Sequence, residues 1–517
     1  MKKMGFAFVL ASVALSGVIV ACGGEDFGSC EANNTCGSAT GGTDGGKGGT
    51  GGTSGTGGTG NTGGTGGGTG GTAGSGGDGG TCDTTKSPSE ESCLVSDDNA
   101  VFVSPTGADT DAGTKAKPLA TFAEAVKKAK TAGHARVIAC NGDYDEKLAL
   151  AAAADGIKIY GGFKCSDWSY ETGVRATLKP KTRGIVLTVD TLAAGATFED
   201  VGFVAMPGSD PGESSIAAFV KESGAITMKR VKLEAGKGAK GAAGTKTDYT
   251  YPSQTTLNGK DASGDTGAAF NQVTCPDGTK TTGAKGGDGG AGVGGGGVGQ
   301  PALGGGVGGA AGQPCNGAGT GSAGNPAAAV APAPGAKSVG AVLATGWTGT
   351  GGGDGTSGGP GQGGGGGTGD ATSGGGGGGG SGACGGAPGK GGSAGGSSIA
   401  VLALNTTVAL DASELVTADA GEGGAGVAGQ QGQQLGGFGG KSANAGCNGG
   451  KGGAGADGGA GGGGAGGVSA GVVWKGKAAT LPSTTPKVGN KGTKGTGGKP
   501  GVNDGIDGDA KPTLEVQ

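Results

Sequence analysis

The stretch SSIAAFVKESGAITMKRVKLEAG, Ser214 to Gly236, decides the fold of this chain. It returns as SSIAVLALNTTVALDASELVTADAG from Ser397 to Gly421, with partial echoes in VGAVLATGW (Val339–Trp347) and SAGVVWK (Ser469–Lys475). Each copy is a short apolar strand, too small to bury its own face, and glycine-rich sequence follows three of the four directly. Repetition of such units is the mark of a column of stacked strands. Three segments, two of them inside these copies, align without gaps in their cores: TFEDVGF (Thr197–Phe203), TMKRVKL (Thr227–Leu233) and ALDASELV (Ala409–Val416). Each places a large apolar residue second (Phe198, Met228, Leu410) and another five positions later (Phe203, Leu233, Leu415). In an unbroken strand that odd offset sends the two side chains to opposite faces; a corner between them returns both to the interior. The chain is expected to bend inside each coil.

Composition limits what surrounds the column. Glycine supplies 139 of 517 residues, aromatics are 4% and charged residues 15%. With 38 basic and 42 acidic residues and a net charge of -4, there is no concentrated basic face for nucleic acid. Apolar residues gather between Val101 and Leu233 and in the later echoes, enough for one slender core.

The N-terminus reads as an export address: Lys2 and Lys3, then an apolar run from Phe6 to Val20, then Ile19-Val20-Ala21-Cys22. That ending resembles the lipobox of bacterial lipoproteins. The resemblance implies a signal peptide over 1–21, acylation of Cys22 and membrane attachment through that lipid. Gly23 and Gly24, in place of an inner-membrane aspartate, imply the outer membrane or cell surface. From 22 to 100 the chain reads as a tether with cysteines, and Gly37–Gly80 is almost wholly Gly, Thr and Ser. A flexible segment of that length averages about 35 Å end to end. Of 11 cysteines, lipid on Cys22 leaves an even ten for disulfides in an oxidising compartment. Cys140 and Cys165 lie near one coil, where stacking brings neighbouring strands to about 4.8 Å, so they are expected to pair. Cys30–Cys36, Cys82–Cys93, Cys275–Cys315 and Cys384–Cys447 follow as nearest unused partners.

From Val101 the order is strand, turn-rich loop, helix, then short strands. The helix opens on a capping box, Thr121 and Glu124, and carries apolar residues at Leu119, Phe122, Val126 and Ala129. Val137, Ile157, Leu178, Phe198 and Ala217 then recur about twenty residues apart, one apolar strand to each repeat. VSPTGADTDAGTKAKPLATFAEAV, ACNGDYDEKLAL and IYGGFKCSDW, arriving in this order, resemble the start of a right-handed parallel β-helix. The chain is similar there to a domain of unknown function in glycine-rich lipoproteins of Gram-negative bacteria, related in fold to pectin lyases. The resemblance implies an all-β solenoid plugged by an N-terminal capping helix. Its glycine tracts resemble PE-PGRS proteins only superficially, since that family's helical module is missing.

The expected layout is a β-helix over 101–236, a strand of it at 338–347, a coil at 397–420 and another strand at 468–481. Glycine-rich insertions fill 237–337, 348–396 and 421–467, and 482–517 forms a polar tail. Fixing a glycine backbone costs about 1–2 kcal/mol per residue, and there is little side chain to bury in return. The insertions are expected as loose loops, with bundles of threefold glycine helices as the alternative. They should leave the column along one edge.

Chemistry is sparse. Asp143, Asp145 and Glu146, and Glu199 with Asp200, are acidic groups at strand ends, where turn residues gather; a glycosidase would need an opposed pair. Arg136, Arg175, Arg183 and Arg230 sit in no lyase motif, and His134 follows the helix stop alone. Gly436–Ser442 (GGFGGKS) lacks the first glycine and the preceding strand of a phosphate loop. GGDGG and GADGG lack the period of calcium-binding repeats. The sequence reads as a non-enzymatic structural or interaction protein without cofactor or metal, whose partner is an envelope or extracellular polysaccharide or protein. A polysaccharide lyase or hydrolase on the same fold and a calcium-dependent adhesin are the alternatives.

Overall fold

The structure, a computed structural model, describes residues 82–517. The signal segment 1–21, Cys22, Cys30, Cys36 and the Gly37–Gly80 tether lie outside the described residues. Three long parallel sheets carry the fold. The first orders Val101–Val103, Arg136–Cys140, Lys158–Phe163, Ala196–Glu199, Ile226–Lys229 and Val408–Asp411. The second orders Gly142–Tyr144, Ala176–Leu178, Val201–Val204, Lys232–Ala235 and Glu414–Thr417. The third runs Leu148–Leu150, Leu187–Asp190, Ser215–Lys221, Ser398–Leu404, Ser469–Lys475 and Ala510–Glu515. From Arg136 onward the chain visits first, second and third sheet in turn, and each return lands one strand further along.

The two long copies are neighbours in this stack. Ser215 pairs with Ser398 in the third sheet, Met228 with Leu410 in the first and Leu233 with Leu415 in the second. Phe198, Met228, Leu410, Phe203, Leu233 and Leu415 are all fully buried in one core. The residues between them, Asp200, Arg230 and Ala412, take φ of 53°, 55° and 46°. A left-handed residue turns the strand through a corner, so both inward side chains reach the interior. The step of about twenty does not hold: Val137 and Phe198 lie on the first sheet, Leu178 on the second and Ala217 on the third. Circuit length varies because the connecting loops do.

The helix Phe122–Thr131 buries Phe122, Ala125, Val126 and Ala129 in the same core, beside the edge strand Val101–Val103. Its capping box is half made. Thr121 Oγ1 accepts from Glu124 N at 3.3 Å, but Glu124 pairs with Lys127 and the Thr121 N–H donates to Asp109 Oδ1 at 2.9 Å instead, while the Phe122 and Ala123 N–H groups donate to Glu146.

Two expectations on layout are corrected. Residues 338–347 supply no strand to the parallel sheets: Gly340–Leu343 and Gly346–Gly349 form an antiparallel hairpin. It packs Val342, Val339 and Trp347 on the outer face of the third sheet. Nor is 482–517 a free tail, since Ala510–Glu515 adds the last strand to that sheet.

The glycine tracts are ordered, not loose loops. Seven N–H groups spaced three apart (Gly352, Gly355, Gly358, Gly361, Gly364, Gly367, Asp370) donate at 2.8–2.9 Å to Gly392, Gly389, Gly386, Ala383, Gly380, Gly377 and Gly374. Gly377, Gly380, Ala383, Gly386, Gly389, Gly392 and Gly395 donate in turn to carbonyls of a parallel tract running from Cys447 to Ala465. One donor every three residues to each neighbour is the bonding of extended threefold helices packed side by side. The backbone that side-chain burial cannot hold is held by other backbone. All these tracts interpose between the second and third sheets, after Ala235, Thr417 and the Val416–Lys487 bridge, so they leave one corner as expected. Their exits stack directly, Gly238 donating to Asp419 and Ala420 to Asn490.

Candidate functional site

The innermost tracts explain the glycine runs. Residues 361–369 and 374–387 are continuously buried. A Cβ on Gly363, Gly364, Gly365, Gly366 or Gly367 would lie 1.9–2.1 Å from the carbonyl oxygen of Thr282, Gly450, Val307, Lys285 or Cys447 respectively. Five consecutive residues thus face three other stretches of chain, at 282–285, 307 and 447–450, and no side chain fits. Outer tracts need glycine only on their inner sides. Along 422–441 the exposed positions are Glu422, Ala428, Gln431, Gln434, Phe438 and Lys441, with Leu435 beside them.

Where a tract has no neighbour, polar side chains take the open donors. Asp288 accepts from Gly267 N, Asp354 from Gly391 N, Asp457 from Gly432 N and Asp507 from Lys494 N, at 2.8–3.0 Å. Asp504 accepts from Gly497 and Gly501, and those contacts with Lys494 nearby hold its carboxyl down at about 2. Buried Gln362 bonds Gly299 and Gly305 through its amide, and Gln430 bonds both the N–H and carbonyl of Tyr249. Among the described residues the aspartates of GGDGG and GADGG are Asp288 and Asp457, and both are spent on lattice donors. Sequence reasoning missed this role; aspartates at threefold spacing, such as Asp504 and Asp507, were its available signal.

The candidate acidic groups are not brought together. Asp143 pairs with Lys179 at 3.4 Å and Asp145 with Lys181 at 3.1 Å on the outer face of the second sheet. Glu146 turns inward to the helix N-terminus, and burial pushes its carboxyl up. Glu199 and Asp200 sit at a corner around Arg230, whose Nη2 lies 3.1 and 2.7 Å from them while its Nε reaches Asp200 at 2.9 Å. Tyr170 donates to Asp200 and Arg175 to the Arg230 carbonyl. Burial raises Glu199, and the hydrogen bond to Asp200 raises Arg230. The cluster ties successive corners together. Arg136 donates to Thr84 O and Arg183 faces Glu213 at 3.9 Å. His134 closes the helix through its backbone N–H, which donates to Ala129. In the GGFGGKS segment, Gly437 and Gly440 N–H groups donate to Ser381 and Gly378, leaving no phosphate cradle there.

Four disulfides are present among the described residues. Cys140, the last residue of its strand, bonds Cys165, two residues past the end of the neighbouring strand Lys158–Phe163, with Cα atoms 4.9 Å apart, and Cys82 bonds Cys93. Glu91 approaches the latter pair, but its cysteines are committed to each other. The lattice cysteines exchange the expected partners: Cys275 bonds Cys384 and Cys315 bonds Cys447, not Cys275–Cys315 and Cys384–Cys447. Packing tracts side by side brings together positions 109 and 132 residues apart, so nearness in sequence is a poor guide.

Two of the grooves on the described residues concern the candidate residues and the hairpin. One, of about 730 Å³, runs along the second sheet past Asp143, Asp145, Lys179, Lys181, Met206 and Glu234. A second, of about 430 Å³, lies under the hairpin at Trp347. No helix among the described residues is long and apolar enough to cross a membrane. No family profile, curated protein or solved structure matches the chain.

Proposed function

We propose that the three sheets are the faces of a right-handed parallel β-helix of the pectin lyase-like kind. On this reading the chain is a lipoprotein held at the outer membrane or cell surface by Cys22, presenting a rigid glycine lattice as a structural or interaction surface. The observation that carries this is how the chain is spent. Long tracts build an ordered slab chiefly from backbone hydrogen bonds, while the candidate catalytic carboxylates are each engaged in ion pairs, a helix cap or a corner. Palmitate labelling of wild type and Cys22→Ala tests the anchor: label should vanish in the variant, and equal labelling removes the lipoprotein reading.

The groove of about 730 Å³ with Asp143 and Asp145 on its wall favours a second reading, a polysaccharide lyase or hydrolase. Each aspartate there faces a lysine within 3.4 Å, which suits a structural pair at least as well. Cleavage of a glycan that Asp145→Ala abolishes would establish the enzyme and displace the non-enzymatic reading.

A further inference from the structure

The tract from Cys447 to Gly467 carries its N–H groups in three rows, each at steps of three residues. Two rows are bonded along the whole tract: Gly449 through Gly467 donate to carbonyls of 421–440, and Cys447 through Ala465 to carbonyls of 350–368. The third row changes character along its length. At Gly463 and Gly466 its N–H groups donate to Asn503 and Ile506 at 2.9 Å, and both glycines are buried. A Cβ on either would lie 2.0 or 2.1 Å from the carbonyl oxygen of Gly495 or Gly492 respectively. Further from the column the same row reads Asn448, Lys451, Ala454, Asp457 and Ala460, all exposed or half-buried. The N–H groups of those five have no acceptor among the described residues. Glycine therefore stands where other strands cover the row and is replaced, position by position, where none does.

The two bonded rows never break step between Cys447 and Gly467, so the Cβ atoms of the bare positions point the way a Cβ at Gly463 or Gly466 would. Asp457 also reaches sideways. Its carboxylate accepts from Gly432 at 2.8 Å, in the row whose earlier members, Gly423 and Gly426, donate to Thr493 and Thr496. We infer that these side chains are a stop built into the lattice, barring a further glycine-rich strand, from another chain or a second copy, from adding to the slab over 448–460. Open donors in threefold register match the carbonyls of such a strand at every step, as an open sheet edge matches another strand. A methyl or longer group at each third position keeps those carbonyls from closing to bonding distance. The inference goes beyond the proposed function, since it states which partner the surface refuses, and it does not depend on the anchor.

Amide hydrogen exchange of the full chain, with and without a synthetic peptide of Gly-Gly-Ser repeats, tests it. In the wild type the N–H groups of Lys451, Ala454 and Asp457 should exchange fast with or without peptide, and those of Gly463 and Gly466 at least about tenfold slower. A variant carrying Lys451→Gly, Ala454→Gly, Asp457→Gly and Ala460→Gly should, with peptide, slow exchange at 451, 454 and 457 about tenfold or more, whichever strand fills the groove. Gly463→Ala is the converse change. Its methyl should push the covering strands away and speed exchange at 463 and 466 about tenfold, while the amides of the parallel sheets stay slow. This variant decides the matter if the four-glycine variant fails to fold by circular dichroism. Three results each overturn the inference: wild-type amides at 451–457 that the peptide slows, a folded four-glycine variant whose amides stay fast, or Gly463→Ala leaving 463 and 466 slow.

Discussion

A glycine in this protein is there for one of two reasons, and they predict different responses to one added methyl group. Gly365 meets the Val307 carbonyl at 2.0 Å from its would-be Cβ, and backbone stands on its other sides. Gly365→Ala should cost about 1–3 kcal/mol or more, the scale of an overpacked core. Gly292 has open space around it, and Gly292→Ala should be neutral or stabilising by up to about 1 kcal/mol through the unfolded chain. Chemical denaturation of both variants measures the contrast; equal effects would contradict the packing account. The corners give the converse case. Ala412 holds φ of 46°, a region costing an L-residue about 1–2 kcal/mol. Ala412→Gly should raise stability by about 0.5 kcal/mol after the glycine's own entropy cost, and Ala412→Val should lower it. A loss on going to glycine would mean that the bend is not strained. The corner itself was legible, since Phe198 and Phe203 could both face inward only if Asp200 turned the chain.

Among the elements, those built from side-chain pattern were legible and those built from backbone were not. Phe122, Val126 and Ala129 announced the helix, and Ser214 and Ser397 announced paired strands. Those serines do more than mark a repeat: Ser214 Oγ accepts from Ser397 N, and Ser397 Oγ from Val468 N, at 2.8 and 3.0 Å. The hairpin at Trp347 was misread because VGAVLATGW has the make-up of a column strand, yet the chain turns back at Ala344-Thr345 and Gly346, at φ 125°, opens the return strand opposite Leu343. Disulfide partners failed for a related reason, since tract packing, not sequence distance, sets which cysteines meet. Tract register does have one visible signal. The tract at 421–443 donates every third residue to Gly396, Ser393, Lys390, Ala387 and Cys384, then takes a four-residue step from Gln433 to Gly437. The extra residue falls at Leu435, which is 66% exposed. Deleting Leu435 should preserve every bond on both sides and leave the melting temperature within a few degrees. One glycine inserted after Gly378, inside a buried tract, should shift the register against several neighbours at once and lower it sharply. Comparable losses from the two changes would contradict the threefold register.

At the scale of the molecule, the column is held by an apolar core and the lattice by backbone bonds whose open donors end on carboxylates. That division predicts an acid response. Asp288, Asp354, Asp419, Asp504 and Asp507 all have lowered carboxyl pKa values, chiefly from backbone N–H groups or, for Asp354, from Lys390. A depressed folded-state pKa contributes stability that is present above the unfolded value, about 3.9, and lost as pH falls through the folded one. For Asp504 that window closes at about 2. Glu146 and Glu199 are raised by burial and work in the opposite sense, so they cannot cause an acid loss. The melting temperature should therefore fall between pH 4 and pH 2, by less in Asp504→Asn, which is already weakened at neutral pH. A flat profile would remove the carboxylates from the account. The central claim is that glycine-rich chain is ordered by bonds between its own backbones, and amide hydrogen exchange of the glycine tracts tests it most directly. The account predicts that N–H groups of Gly355, Gly358, Gly361, Gly364 and Gly367 exchange as slowly as those of the parallel sheets, while exposed Gly292 exchanges fast. Exchange of all glycine-tract amides at the rate of unstructured chain would contradict it.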